Sequence, residues 1–427
     1  MSTTERLYYH DSHLKEFDAR VEAVARIDGG RFGVRLDRTA FYPTGGGQPS
    51  DTGTLGEARV VECVDEEEEG VLHIVEGRAP ELGAHVRGRV DWPRRLDHIQ
   101  QHTGQHILSQ VFVELFGAET RSFRMLERVS EIDVALDSPS DERIEQAVTL
   151  ANRIIWENRA VRVRQVSAEE AAALPLRKDS ARAGELRIIE IEGFDMSPCG
   201  GTHAARTGEV GILVARSWER AKGLTRIEFL AGGRVHADYV RANASARRVA
   251  ALFSVGRDDA EASVARLLED NKQLSRRVRA LEEIAARVEA GELLAEASRA
   301  NQTPAHDELP AQAAHASTAQ TTLVARVFDG RDAESLKRLA SAIVSNSHAV
   351  ALLGSRDAEQ ARLVFARSAD APGDMNALMR QACAILEGRG GGRPDLAQGG
   401  GRRTEKLSDA IETAAQLWNE ETMNAER

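Results

Sequence analysis

His98-Ile99-Gln100-Gln101-His102-Thr103-Gly104-Gln105-His106-Ile107 is the stretch on which the reading of this chain turns. Across residues 91–117, His98, Ile99, His102, His106, Ile107, Val111 and Leu115 recur at helical spacing, and Gly117 supplies a stop. On such a helix His102 and His106 project from one face, about one turn apart, and can offer two imidazole nitrogens to one ion. Far downstream, Ser197-Pro198-Cys199-Gly200-Gly201-Thr202-His203 offers a thiolate and a third imidazole across a glycine turn. Three imidazoles and one thiolate suit tetrahedral Zn2+, and the cysteine argues against calcium or magnesium. Taken alone, a histidine pair four apart is more often polar decoration, and one Cys-x-x-x-His is equally weak. Their joint presence is what makes a metal the expectation. His98, a further turn back, is assigned to the surroundings of the metal or to contact with RNA.

Upstream, residues 21–25, 31–36, 58–64 and 70–75 alternate polar and apolar side chains and are broken by turns, which predicts a small β-barrel over residues 1–90. It carries the run Phe41-Tyr42-Pro43-Thr44-Gly45-Gly46-Gly47-Gln48-Pro49-Ser50-Asp51-Thr52-Gly53. Three successive glycines expose backbone amides and permit close approach to a ligand, but the Gly-Lys-Ser/Thr of a nucleotide-binding P-loop is missing. The plainer reading is a hairpin between two barrel strands.

Downstream, strand-like and helical pieces alternate, an α+β pattern assigned to residues 91–245. Residues 246–300 read as a helical arm. Within it Val264, Leu267, Asn271, Leu274, Val278, Leu281, Ala285 and Val288 form a heptad seam, either an intramolecular arm or a homodimer zipper through 257–290. Residues 301–320, rich in Ala, Gln, His and Pro, read as a linker. Residues 321–427 read as a small α/β module closed by a glycine-rich loop and a last helix. The fold class is therefore multidomain α+β, from N-terminal β-barrel through helical arm to C-terminal α/β module.

The net charge of −11 over 427 residues gives no general attraction for phosphate, so nucleic-acid binding has to come from local basic surfaces. Two such clusters stand out: Arg216, Arg220, Lys222 and Arg226, and Arg389, Arg393, Arg402, Arg403 and Lys406. Cys63, Cys199 and Cys383 are odd in number and scattered, which argues against a disulfide framework and for a reducing cytoplasm. No apolar run approaches about 18 residues, so no membrane span is expected, and the charged first 25 residues do not read as a secretory signal.

Three phrases, 41–48, 98–106 and 199–203, together resemble the alanyl-tRNA editing proteins, free-standing relatives of the alanyl-tRNA synthetase editing domain. Gly390-Gly391-Gly392-Arg393-Pro394-Asp395 and Ala397-Gln398-Gly399-Gly400 resemble the carboxy-terminal tRNA-binding module of that synthetase. The resemblance implies zinc at His102, His106, Cys199 and His203, and a barrel whose glycine loop lines an editing pocket. It implies hydrolysis of alanine tRNA wrongly charged with Ser and, less readily, Gly. Thr44 is the candidate partner of the seryl hydroxyl, and Gln48 joins it or holds the loop. Asp195 either takes the substrate ammonium or orients a zinc-bound histidine. Arg220, Lys222, Arg389, Arg393 and Arg402 are the candidate tRNA contacts. The chain leaves no room before the barrel for an aminoacylation domain and has no Asp-His-His phosphoesterase partner, so neither tRNA charging nor nuclease activity is expected. Arg121-Ser122-Phe123-Arg124 departs from the relatives where a pocket strand is expected, which bears on selectivity. Two other readings remain: a threonine-tRNA editing hydrolase, and a non-catalytic tRNA-binding protein with a structural zinc.

Overall fold

Along β2 (Glu16–Arg26), which follows the short β1 (Glu5–Arg6), Phe17, Ala19 and Val21 are buried while Asp18 and Arg20 face solvent. The same alternation in β3 (Phe32–Leu36), β5 (Gly53–Leu55), β6 (Ala58–Asp65), β7 (Val71–Glu76) and β8 (His85–Val90) closes a six-stranded barrel in the order β2-β3-β7-β6-β5-β8, β4 (Arg38–Thr39) pairing instead with β1. Phe17, Val34, Leu36, Phe41, Leu55, Val60 and Val75 fill it. The four predicted strands coincide with parts of β2, β3, β6 and β7, two of them starting one residue early. The computed structural model describes residues 4–178, 185–300, 321–345 and 347–425. It divides the chain into Met1–Arg257 and Asp258–Arg427, and the predicted linker at 301–320 lies outside the described residues.

The first unit continues with α1 (Trp92–Phe116), capped by the Asp91 side chain, opened by Pro93 and stopped by Gly117 in the left-handed conformation at φ 62°. Next come β9 (Thr120–Met125), β10 (Ser130–Val134), α2 (Asp141–Trp156), β11 (Val161–Val166) and α3 (Ala168–Ala172). After these come β12 (Leu186–Ile191), β13 (Asp195–Pro198), β14 (Leu213–Ala221), β15 (Leu224–Ala231) and α4 (Gly233–Leu252). Two sheets result, β14-β15-β10-β9 and β11-β12-β13. Ile107, Val111 and Phe112 of α1 share a core with Ile144, Ala147 and Ile154 of α2 and with Ile132, Ile227 and Phe229 of the larger sheet.

In the second unit, α5 (Ala260–Ala300) precedes β16 (Thr322–Asp329), α6 (Ala333–Ser345), β17 (Ala349–Arg356), β18 (Ala361–Arg367) and α7 (Met375–Ile385). Then follow β19 (Arg389–Gly392), β20 (Leu396–Gly401) and α8 (Leu407–Ala425). The sheet runs β16-β17-β18-β20-β19, with only β16 and β17 parallel. Leu352 and Phe365 pack beneath α7 and α8 on one face, whereas Leu353 and Val364 meet α6 and Ala290 of α5 on the other.

Two expectations need correction. The glycine-rich run after residue 388 is not a loop but the β19–β20 hairpin. A Cβ on Gly399 would stand 2.5 Å from the Cys383 sulfur, so glycine is what lets the hairpin lie on α7. The heptad seam is not the face by which α5 packs in its own unit. Ala286 and Ala290 are buried there, whereas Leu267, Leu274 and Leu281 are 53%, 59% and 65% exposed.

Candidate metal centre

Most of the first four turns of α1 are buried, and much of what they bury is polar: Arg95, His98, Gln101, His102, Thr103, Gln105 and His106. Such burial is stable only when every group finds a partner. Arg95, fully buried, donates to both Asp51 oxygens (3.1 Å through Nε), to Ser12 O (2.8 Å) and to Ala40 O (2.5 Å). This buried ion pair welds the start of α1 to the barrel. Gln101 exchanges two bonds with the backbone of Ala231 at 2.8 and 2.9 Å, fixing the same helix to the end of β15.

On this base His102 and His106 meet Cys199 and His203. The four side chains offer one nitrogen or sulfur each, all within 4.8 Å of one another. The Cys199 Sγ lies 3.4 Å from His102 Nε2 and 3.3 Å from His203 Nε2. A Cβ on Gly201 would fall 2.1 Å from the His102 ring, so the chain passes this close only as glycine.

The outer nitrogen of each ring is engaged. His102 Nδ1 donates to Gln48 Oε1 (2.7 Å), His106 Nδ1 to Asp195 Oδ2 (3.2 Å) and His203 Nδ1 to Thr103 Oγ1 (3.3 Å). With the proton held at Nδ1, each Nε2 keeps its lone pair for an ion, the arrangement by which metal-binding imidazoles are oriented. Burial pushes the Cys199 thiol up, but His102 and His203 beside it outweigh that and hold it well below the ordinary value, as a thiolate. A half-buried thiolate beside three buried, inward-facing imidazoles fits a divalent metal of borderline softness.

Gln48 therefore fixes a ligand as well as the loop. It also donates through Nε2 to Thr202 Oγ1 (2.9 Å) and accepts from the Thr202 amide (3.2 Å). Asp195 lies buried against His106. Besides His106 it accepts from Arg177 at 2.8 and 3.3 Å and from Ser197 at 3.1 Å. Burial would raise its pKa, yet the His106 bond and the Arg177 charge bring it down to about 2. Thr44 is exposed, and its hydroxyl accepts from the Ser50 amide (3.1 Å). Among the described residues, none of its hydrogen bonds reaches the four ligands.

The glycine run is a tight turn closed by a Gly45–Gln48 bridge, rather than a hairpin between paired barrel strands. Gly47 O accepts from the Met125 amide (2.9 Å), and a Cβ on Gly47 would stand 2.4 Å from Phe123 O. The turn thus lies against β9, whose Phe123 ring is 5.3 Å from that of His102. From the departing stretch, Phe123 faces the metal group while Arg121 is exposed and paired with Glu119 at 2.8 Å.

The first basic cluster makes many of its contacts within the fold. Arg220 spends its guanidinium on the carbonyls of Leu136 (2.9 Å) and Asp137, and Arg226 is paired with Asp133 (2.8 Å). Lys222 alone stands at the β14–β15 turn, at φ 52°. In the second cluster Arg389 and Arg402 are exposed, and Arg393 is paired with Asp395 at 3.0 Å.

Several residues escaped the sequence reading. Arg187 donates to the carbonyls of Cys199 (2.7 Å), Gly201 (2.9 Å) and Tyr9 (3.2 Å), clamping the metal loop from below. Arg177, Thr103, Asp51 and Arg95 likewise carried no local signal, because their partners lie far away in the chain.

Residues 319–420 match the DHHA1 domain, 186–228 the threonyl and alanyl tRNA synthetase second additional domain, and 2–94 the class II (A) tRNA synthetases. The chain is 39% identical over 239 residues to the alanyl-tRNA editing protein AlaX-L of Pyrococcus horikoshii, covering 54% of this chain and 58% of that one. It is 33% identical over 429 residues to an alanine–tRNA ligase of Halobacterium salinarum, covering 97% of this chain and 44% of the ligase. The chain thus spans less than two thirds of either relative. The crystal structure of the C-Ala domain from Aquifex aeolicus alanyl-tRNA synthetase matches at 29% identity, covering 23% of this chain and 90% of that one with a TM-score of 0.22. The resemblance read from the motifs is borne out by these relatives.

Proposed function

We propose, from the premise that this chain is kin to the alanyl-tRNA editing proteins, that it is a zinc-dependent aminoacyl-tRNA deacylase acting on mischarged alanine tRNA. The observation that carries the metal is the set of three buried imidazoles, each with its outer nitrogen engaged, turned toward the half-buried Cys199 sulfur. His102, His106, Cys199 and His203 would hold the zinc. Bound there, zinc would supply a polarising and orienting charge for the ester.

The substrate in this reading is the seryl ester on the terminal ribose, with the glycyl ester a poorer one. Thr44, whose hydroxyl keeps its proton free to donate, is the proposed partner of the seryl hydroxyl. A pocket built to bond that hydroxyl rejects alanine by up to about 10⁴-fold, since alanine leaves the partner unpaired. Gln48 and Asp195 act on the chemistry by positioning His102 and His106. The carboxy-terminal match favours alanine over threonine tRNA, although the matched second additional domain is shared by both synthetases. Arg389, Arg393 and Arg402 are proposed to contact tRNA phosphates, the α5 seam to pair two copies, and the cytoplasm to be the compartment. Among the described residues no helix is long and apolar enough to cross a membrane.

The test is deacylation of seryl- and alanyl-esters of alanine tRNA by the zinc-loaded protein, with Cys199→Ala as control. Loss of the seryl ester alone, abolished in the control, is the expected outcome. Equal hydrolysis of both esters sinks the selectivity, and tight tRNA binding without hydrolysis favours the non-catalytic reading. Replacing Arg389, Arg393 and Arg402 with Gln should weaken tRNA binding and flatten its salt dependence by about one unit of slope per lost contact, with zinc content unchanged.

A further inference from the structure

His98 sits one turn before His102 on α1, is only 3% exposed, and has an Nδ1 with no partner. A buried polar atom left unpaired costs roughly 1–3 kcal/mol, so an orphan beside a functional centre calls for a cause. The imidazole is ringed by guanidinium groups. Burial first, then the charges of Arg94, Arg234 and Arg95, push its pKa down to about 3, so it is neutral and keeps one N–H to donate.

Two of the three guanidiniums are neutralised. Arg95 is held by Asp51, and Arg234 by Asp97 at 2.7 and 2.8 Å. Arg94 is different. Its Nε donates to Ser50 O (2.9 Å), which fixes the side chain beside the glycine turn, and its two Nη groups have no partner among the described residues. Arg94 is part-exposed and therefore reachable. An uncompensated, pre-positioned cation next to an orphaned neutral imidazole is a pattern that an anionic oxygen completes.

We propose that Arg94 and His98 form a phosphate subsite for the phosphodiester on the 5′ side of the terminal nucleoside. This rests on the deacylase reading for the identity of the ligand. The spacing is the argument. Four residues of helix rise about 6 Å, so His98 stands one turn and Arg94 two turns before His102. In a 3′-terminal aminoacyl nucleotide, one ribose separates the ester from that phosphodiester. An ester held at the metal group therefore brings the phosphate within reach of this turn of α1. The subsite would set the distance between phosphate and ester, so it recognises the end of an RNA strand without reading a base.

The test is calorimetric binding of AMP, adenosine and inorganic phosphate to the zinc-loaded full chain. Hydrolysis of 3′-O-seryl-AMP is compared with that of seryl-adenosine. AMP should bind at least tenfold tighter than adenosine, and the seryl-AMP ester should show a similar advantage in kcat/KM. Arg94→Ala and His98→Gln should each bring both ratios toward one while zinc content stays at the wild-type level. Equal binding of AMP and adenosine by the wild-type chain overturns the proposal, and that comparison needs no variant. A preference that survives both substitutions overturns it too, as does inorganic phosphate binding as tightly as AMP, which marks an adventitious ion only. An AMP preference that depends on Arg94, with neither ester hydrolysed, keeps the subsite and sinks the deacylase reading.

Discussion

The two longest helices handle water in opposite ways. α1 buries fourteen of its 25 residues, and many of the buried side chains are polar. Of the 41 residues of α5, Ala260, Ala286 and Ala290 are buried, while a row of leucines and valines faces solvent. Polarity alone would assign these environments the other way round. What decides is partnership. Most polar groups on the inner face of α1 meet a partner from the barrel, β13, β15, the turn at 199–203 or the helix itself, His98 Nδ1 being the exception. Among the described residues, the leucines of the α5 seam remain largely exposed.

The largest effect that should separate the two helices comes from the metal loop. Gly201→Ala, which forces a Cβ into His102, and Cys199→Ala should each reduce bound zinc from about one equivalent to near none, measured by atomic emission on dialysed protein. Next comes the weld between α1 and the barrel. Arg95→Met leaves Asp51 charged and buried and should cost about 3–5 kcal/mol in urea unfolding of the first unit. Adding Asp51→Leu should recover much of that loss; no recovery would mean that the hydrogen bonds of Arg95, rather than the stranded charge, carry the stability. Smaller again, Gln48→Ala releases the His102 ring and should weaken zinc binding about 10–100-fold in a chelator competition, with the fold intact. The smallest effect belongs to α5. Leu274→Ser with Leu281→Ser should leave the unfolding energy of a monomer within about 0.5 kcal/mol of wild type, because both are exposed. A fall in sedimented mass in the same variant would show that a second copy covers the seam; unchanged mass would remove the zipper.

Short-range regularity was legible in the sequence. The barrel strands, the helix carrying His102 and His106, and most elements of the second unit are fixed by alternation or helical spacing among neighbours. The four candidate ligands were legible because two of them lie one turn apart and two share a glycine turn. Arg95, Arg187 and Thr103 were not, since their importance resides in carbonyls and rings many residues away. Asp195 was legible as a member of the site but not as to its partners, Arg177 and His106, which engage its oxygens. The seam of α5 misled in a different way: a heptad states that a face is apolar, not that the chain covers it.

The bonds around the centre also carry information about time. His102 reaches back 54 residues to Gln48 and forward 97 to Cys199, and the His203 amide reaches 191 residues back to Ser12. Contacts so distant in the chain form late, after loops have closed. A nascent chain therefore has no site to offer an ion until the barrel has shut, α1 has been seated on Asp51 and the 199–203 turn has arrived. Capture of zinc would then mark the end of maturation, and the centre becomes a record that the rest of its unit has assembled.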